Sequence, residues 1–185
     1  MKAARPALLI WRHPRPDGAA GICVGAGTEL PVSPRRAKRL ARRIQQTARR
    51  ERLPHRVHCS PLRRCADVAR WLRRWGWEMR IEPALRELDF GAWESQPWAA
   101  IGKVELDAWV ASFAEHRPGG GESLRQMLVR AAAWEVASDD APAVLAIGHG
   151  GWMLARRWLQ ERGEVLPDAA SWPTAPRYAE LWRLA

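Results

Sequence analysis

The chain has 185 residues and a formal net charge of +10, from 30 Lys and Arg against 20 Asp and Glu. Its length suits one domain with a sizeable core, residues 1–185, and an apolar content of 47% excludes an intrinsically disordered chain. No apolar run reaches the length of a membrane span, and Cys23, Cys59 and Cys65, odd in number and at spacings unlike a zinc site, argue against a disulfide framework.

The basic N-terminus lacks an apolar run long enough for a signal segment, so the expected setting is cytoplasmic, with reduced thiols. Residues 7–11, ALLIW, read as a short buried strand running into Arg12, His13 and Pro14. Residues 15–34, rich in Gly and Pro, read as a loop. Ser33-Pro34 then opens a helix, with Ser as cap and Pro in the first turn. Along it Ala37, Leu40, Ala41, Ile44 and Ala48 recur at helical spacing, and arginines fill the other positions. Residues 56–59 are a second strand, and Ser60-Pro61 caps a helix in the same way, running to about Trp75 before Gly76. A third strand is expected at 77–81 and an irregular stretch at 83–95. Helices follow at 97–116 and 123–138, separated by the turn at 118–121. A buried strand at 143–147 leads through Gly148-His149-Gly150-Gly151 into a helix at 152–162, and a last strand is expected at 179–184. Alternating strands and helices predict a three-layer αβα sandwich with a mainly parallel sheet.

In such sheets ligands sit at the carboxyl ends of the strands. Arg12 and His13 follow the first strand, Ser60 and Arg63 the second, and His149 the fourth, so separate strand ends bring Arg and His to one edge. Two helix N-termini point the same way, and free N–H groups with the helix dipole favour anions there. Arginine's planar fork suits phosphate oxygens. The segment Arg86-Glu87-Leu88-Asp89-Phe90-Gly91-Ala92-Trp93-Glu94 offers three carboxylates, one of which can protonate a leaving alkoxide. Each feature alone also reads as ordinary structure: a solvated strand end, a flexible Gly loop, a carboxylate paired with one of many arginines.

Together LLIWRHP, HCSPLRRC, LRELDFGAWES and VLAIGHGG, in that order over residues 8–151, resemble the motifs of the histidine phosphatase (phosphoglycerate mutase-like) superfamily. The resemblance implies a metal-independent phosphomonoesterase without a cofactor, acting on a small-molecule phosphomonoester through a phosphohistidine. His13 would be the nucleophile; Arg12, Arg63 and His149 would hold the phosphoryl oxygens; Glu87 would be the proton donor. The turn Arg117-Pro118-Gly119-Gly120-Gly121-Glu122-Ser123 and the loop GICVGAGTELPVSP are similar to the alpha-ribazole phosphatase branch, which serves assembly of the cobalamin nucleotide loop. Broad sugar- or nucleotide-phosphate and phosphoprotein phosphatases share the same motifs and stand as the alternative.

Two features depart from the pattern. Pro14 occupies the position where the family usually has glycine, and the chain contains no asparagine to touch phosphate. A backbone N–H near Gly25 or the side chain of Arg15 is the expected substitute, since Asp17 would repel an anion. Trp93 and Trp98 are candidates for stacking on a substrate base. Fifteen of the Lys and Arg residues fall within 35–75, against Glu51 and Asp67. A polyanion-binding module with a vestigial pocket is the reading from another class. The helical spacing, and the lack of aromatic residues within 35–50, favour a solvated helix face over nucleic-acid binding.

Overall fold

A computed structural model of the chain describes residues 6–135 and 141–184. Five strands form one sheet: β1 (Ala7–Arg12), β2 (Arg56–Cys59), β3 (Glu78–Ile81), β4 (Ala143–Gly148) and β5 (Leu181–Leu184), in the order β3-β2-β4-β1-β5. All neighbours are parallel except β5, which runs antiparallel to β1 at one edge. β1 is an interior strand covered on both faces, which explains its unbroken apolar run. Leu8 and Ile10 enter one core, Leu9 and Trp11 the other, as the two-residue period of a strand requires.

The helices α1 (Pro34–Glu51) and α2 (Arg63–Arg74) cover the Leu9/Trp11 face; α4 (Leu124–Ala133) and α5 (Gly150–Arg162) cover the Leu8/Ile10 face. This is the three-layer sandwich predicted above. Ser33 caps α1 by accepting from the backbone N–H of Arg36, with Pro34 in the first turn. The buried face of α1 carries Ala37, Leu40, Ala41, Ile44 and Ala48, while Arg35, Arg39, Arg42 and Arg49 project to solvent. Burying each large aliphatic side chain contributes about 1.5–3 kcal/mol. Among the described residues no helix is long and apolar enough to cross a membrane.

Three elements differ from expectation. Ser60-Pro61 does not cap α2, which begins at Arg63 with Leu62 at the cap position. The segment 97–116 is not one helix: a 3-10 turn at Trp98–Ala100 is followed by extended backbone at Ile101 and Gly102, and only then by α3 (Lys103–Ala111). The helix expected at 123–138 ends at Ala133, and residues 136–138 lie outside the described residues.

Candidate active site

β1 and β4 run side by side in register, Arg12 opposite Gly148, so both strands end at the same level. The backbone N–H of His13 donates to Gly148 O at 3.0 Å, and the rings of His13 and His149 lie 5.0 Å apart. Both residues are buried. His13 Nδ1 is 2.7 Å from the carbonyl of Pro14. A carbonyl only accepts, so Nδ1 carries the proton and the lone pair resides on Nε2. Proline lacks an N–H to offer phosphate, and its carbonyl does a different job by orienting the His13 ring. Burial, together with the charges of Arg64 and Arg12, holds His13 well below the usual imidazole range and leaves it neutral at pH 7.

His149 stands at the cap position of α5. Arg64 Nε donates to its Nδ1 at 3.2 Å. The proton of His149 is thus on Nε2, which donates to Ser60 Oγ at 2.8 Å and contacts Cys65 Sγ at 3.4 Å. Burial and the Arg64 charge push this imidazole below its usual range as well.

Arg64, not Arg63, is the arginine that α2 turns into this site. Its side chain is 1% exposed and donates to Thr28 O at 2.7 Å and Gly25 O at 2.9 Å as well as to His149. Arg63 faces solvent on the outer side of the helix, 56% exposed, 3.9 Å from Asp67. It lines a separate depression of about 430 Å³ with Asp67, Arg70 and Trp71. The physical reason is the helical step of about 100° per residue. Arg64 shares a face with Cys65, Val68 and Leu72, all buried, whereas Arg63 aligns with Asp67, Arg70 and Arg74. That apolar stripe was the signal in the sequence for choosing between the two. Ser60, which follows β2 directly, is a further site residue, since it accepts from His149.

Glu87 reaches the start of α5, where its Oε2 accepts from Gly151 N at 3.1 Å and its Oε1 from Leu88 N at 3.0 Å. A side chain at Gly151 would intrude here, its Cβ lying 2.4 Å from Glu87 Oε1. The backbone around Glu87 is clamped from outside. Arg130 donates to Ala84 O at 2.7 Å and Arg86 O at 2.9 Å, and pairs through two nitrogens with Glu122. Glu122 belongs to the glycine-rich turn, which docks backbone to backbone on the acid segment: a Cβ at Gly121 would lie 2.1 Å from Asp89 O. Ser123 then caps α4 in a reciprocal box with Gln126. The turn thus buttresses the segment that carries Glu87.

Glu94 has a different task from Glu87. It accepts from Gly27 N at 3.0 Å, Phe90 N at 3.1 Å and Thr28 Oγ1 at 2.5 Å, tying loop 25–28 to the acid segment. The N–H groups of Gly25, Ala26 and Gly27 donate to Thr28, Leu88 and Glu94. They are therefore not the free donors expected in place of asparagine. Arg15 is exposed, and Asp17 pairs with Arg36. Trp93 is buried, and its Nε1 donates to Glu105, so it is a core residue and not a stacking platform. Trp98 is partly exposed and packs on Phe90 and Trp109. Among the described residues no group of three or more His, Cys, Asp or Glu is arranged to hold a metal ion.

Residues 8–170 match the family model of the histidine phosphatase superfamily, branch 1. Among solved structures, a mycobacterial glucosyl-3-phosphoglycerate phosphatase in complex with VO3 is 26% identical, with a TM-score of 0.72 over 98% of this chain and 93% of that one. The same enzyme in its native form aligns at 25% identity, TM-score 0.70, over 96% and 89%. The alpha-ribazole phosphatase from Shigella flexneri shares the fold at 19% identity, TM-score 0.71, over 96% and 89%. No curated protein matches the chain significantly by sequence.

Proposed function

Because the chain belongs to the histidine phosphatase superfamily and is thereby a phosphoric monoester hydrolase, we propose that it works through a phosphohistidine formed on His13. The observation that carries this reading is the hydrogen bond from His13 Nδ1 to Pro14 O, which leaves Nε2 as a free, neutral nucleophile beside Arg12, Arg64 and His149.

In the first step Nε2 attacks phosphorus and the P–O bond to the leaving group breaks. Glu87 gives its proton to the departing oxygen. In the second step the Glu87 carboxylate takes a proton from water, whose oxygen attacks phosphorus and releases phosphate from His13. Arg12 and Arg64 hold the non-bridging oxygens in both steps, joined by His149, whose Nε2–H turns from Ser60 Oγ to an oxygen when the phosphoryl group is bound. Positioning and charge neutralisation of this kind are the main demands of phosphoryl transfer. Arg64 takes the role expected of Arg63.

For substrate we propose alpha-ribazole 5′-phosphate, supported by the likeness of residues 117–123 and of the loop at 21–34 to that branch. The second reading, a phosphorylated sugar acid, is favoured by the 25–26% identity to glucosyl-3-phosphoglycerate phosphatase. Turnover of both compounds beside generic aryl phosphates decides between them. Rapid quench is expected to trap acid-labile phosphoenzyme, and His13→Ala to abolish it. Wild-type turnover by His13→Ala would sink the mechanism.

A further inference from the structure

The Arg12 side chain is held at several points. Its Nη1 donates to Pro176 O at 2.6 Å. Its Cζ lies over the ring of Tyr178, 4.0 Å from the centroid. Gly150 is equally close: a Cβ there would lie 3.2 Å from Arg12 Cζ and Nε. With Nη1 engaged and Tyr178 and Gly150 packed against the guanidinium, the edge formed by Nε and Nη2 remains. Nε is buried and has no hydrogen-bond partner among the described residues. A buried unpaired donor is costly unless it serves a ligand, and this edge is the fork that grips two oxygens of an oxyanion at once.

The segment carrying Tyr178 is itself tightly held. Ala179 N donates to the carbonyls of Arg12, at 3.1 Å, and His13, at 3.3 Å; Arg12 N donates to Glu180 O at 3.0 Å. Arg43 reaches across from α1 to Ala179 O at 2.9 Å. Ala179 adopts φ 61°, the left-handed region that alanine disfavours. Such strain persists only where the surroundings over-determine the backbone, and here it sets the Tyr178 ring against Arg12. The ring also stands 5.6 Å from that of His13.

The geometry points to Tyr178 as the positioning residue of the oxyanion site: its ring holds the Arg12 guanidinium in the one plane that presents the Nε/Nη2 fork beside His13. The inference rests on the proposal above that Arg12 and His13 bind the phosphoryl group. It assigns a role to the segment after α5, which no motif marked.

Tyr178 is 40% exposed, so its replacement leaves the core intact. The test is calorimetric binding of inorganic phosphate and inhibition by vanadate, with kcat and KM for p-nitrophenyl phosphate, in Tyr178→Ala, Tyr178→Phe, Arg12→Ala and the double variant Arg12→Ala/Tyr178→Ala. Tyr178→Ala is expected to weaken phosphate and vanadate about tenfold at unchanged thermal midpoint, a typical cation–π effect in a partly desolvated site. Tyr178→Phe should stay within about twofold of wild type, because the ring and not the hydroxyl faces Arg12. In the Arg12→Ala background, Tyr178→Ala should cost nothing further, since the ring acts through the guanidinium. Wild-type phosphate affinity in Tyr178→Ala, additive losses in the double variant, or a Phe variant as weak as Ala would each overturn the inference. Unchanged phosphate binding in Arg12→Ala would instead overturn the site assignment beneath it.

Discussion

Arg64 and His149 are joined across the floor of the site, Nε to Nδ1 at 3.2 Å, and both are buried. Their bond fixes the tautomer of the histidine, and the two other contacts of Arg64 fix loop 25–28. Removing this side chain leaves the carbonyls of Gly25 and Thr28 and the Nδ1 of His149 without their donor. Arg64→Ala is expected to lower kcat/KM by at least about 100-fold, as loss of a transition-state charge partner does, and to cost about 2–4 kcal/mol of stability. Arg63→Ala, one residue away, should remain within about twofold in activity and about 0.5 kcal/mol in stability, as an exposed substitution does. Steady-state kinetics and urea denaturation of the pair check both. Reversed outcomes would return the phosphate-binding role to Arg63.

The two buried histidines make stability depend on pH. Both are held below the unfolded imidazole value of 6.5, chiefly by burial and then by the Arg64 charge. Between 6.5 and their lowered folded values, the unfolded chain binds protons that the folded chain does not. Stability is therefore full above 6.5 and falls as pH drops below it, by up to about 1.4 kcal/mol per pH unit for each histidine. The surface carboxylates held low by hydrogen bonds to their partners, such as Glu51 and Asp168, lose their contribution only below their ordinary values of 4.5 and 3.8. Denaturation at pH 7.5 and 5.5 isolates the histidine window. His149→Asn should roughly halve the loss in it, and an equal loss in that variant would place the effect elsewhere.

The sheet and both site histidines were legible in the sequence for a physical reason. A strand covered on two faces must be apolar throughout, so 7–11 and 143–147 stand out, and His13 and His149 follow from where those runs stop. The motif HCSPLRRC offers two adjacent arginines, and the helix that starts at Arg63 turns Arg64 inward. With adjacent arginines, the choice depends on which face is buried. Pro14 looked like a lost donor, yet its carbonyl orients the nucleophile. Tyr178 was illegible because nothing local marks it: it meets Arg12 only when the chain after α5 returns to pair β5 with β1. The helix expected over 97–116 breaks at Gly102, a residue weak in helical propensity, where the aromatic cluster of Phe90, Trp98 and Trp109 outweighs the helical pattern.

Gly151 tests the placement of the acid. Its N–H holds Glu87 Oε2, and the absence of a side chain leaves room for the carboxyl. Gly151→Ala forces Glu87 aside, because the new Cβ would meet Oε1 at 2.4 Å, inside any van der Waals contact. Misplacing a proton donor costs most where the leaving group most needs the proton. Gly151→Ala and Glu87→Gln should therefore share one signature, a loss of about 100-fold for alkyl phosphates and about tenfold or less for p-nitrophenyl phosphate. Equal losses on both substrates would remove Glu87 from the role of acid.

Glu94 carries a different prediction, since it touches the loop and not the reacting groups. Its two oxygens collect Gly27 N, Phe90 N and the Thr28 hydroxyl, and Gly25 is packed against it so closely that a Cβ there would lie 2.3 Å from Oε1. Truncation leaves these donors unpaired and opens space beneath the loop whose carbonyls hold Arg64. Glu94→Ala should cost about 2–3 kcal/mol. It should also raise KM more than it lowers kcat, because loosening the Arg64 anchor weakens the grip on phosphate in ground and transition states alike. Glu94→Gln keeps the shape and one accepting oxygen, so it should recover at least half of the lost stability. The urea midpoint and the separation of KM from kcat provide the check. A Glu94→Ala variant with wild-type KM would mean that the loop holds Arg64 without help from the carboxylate.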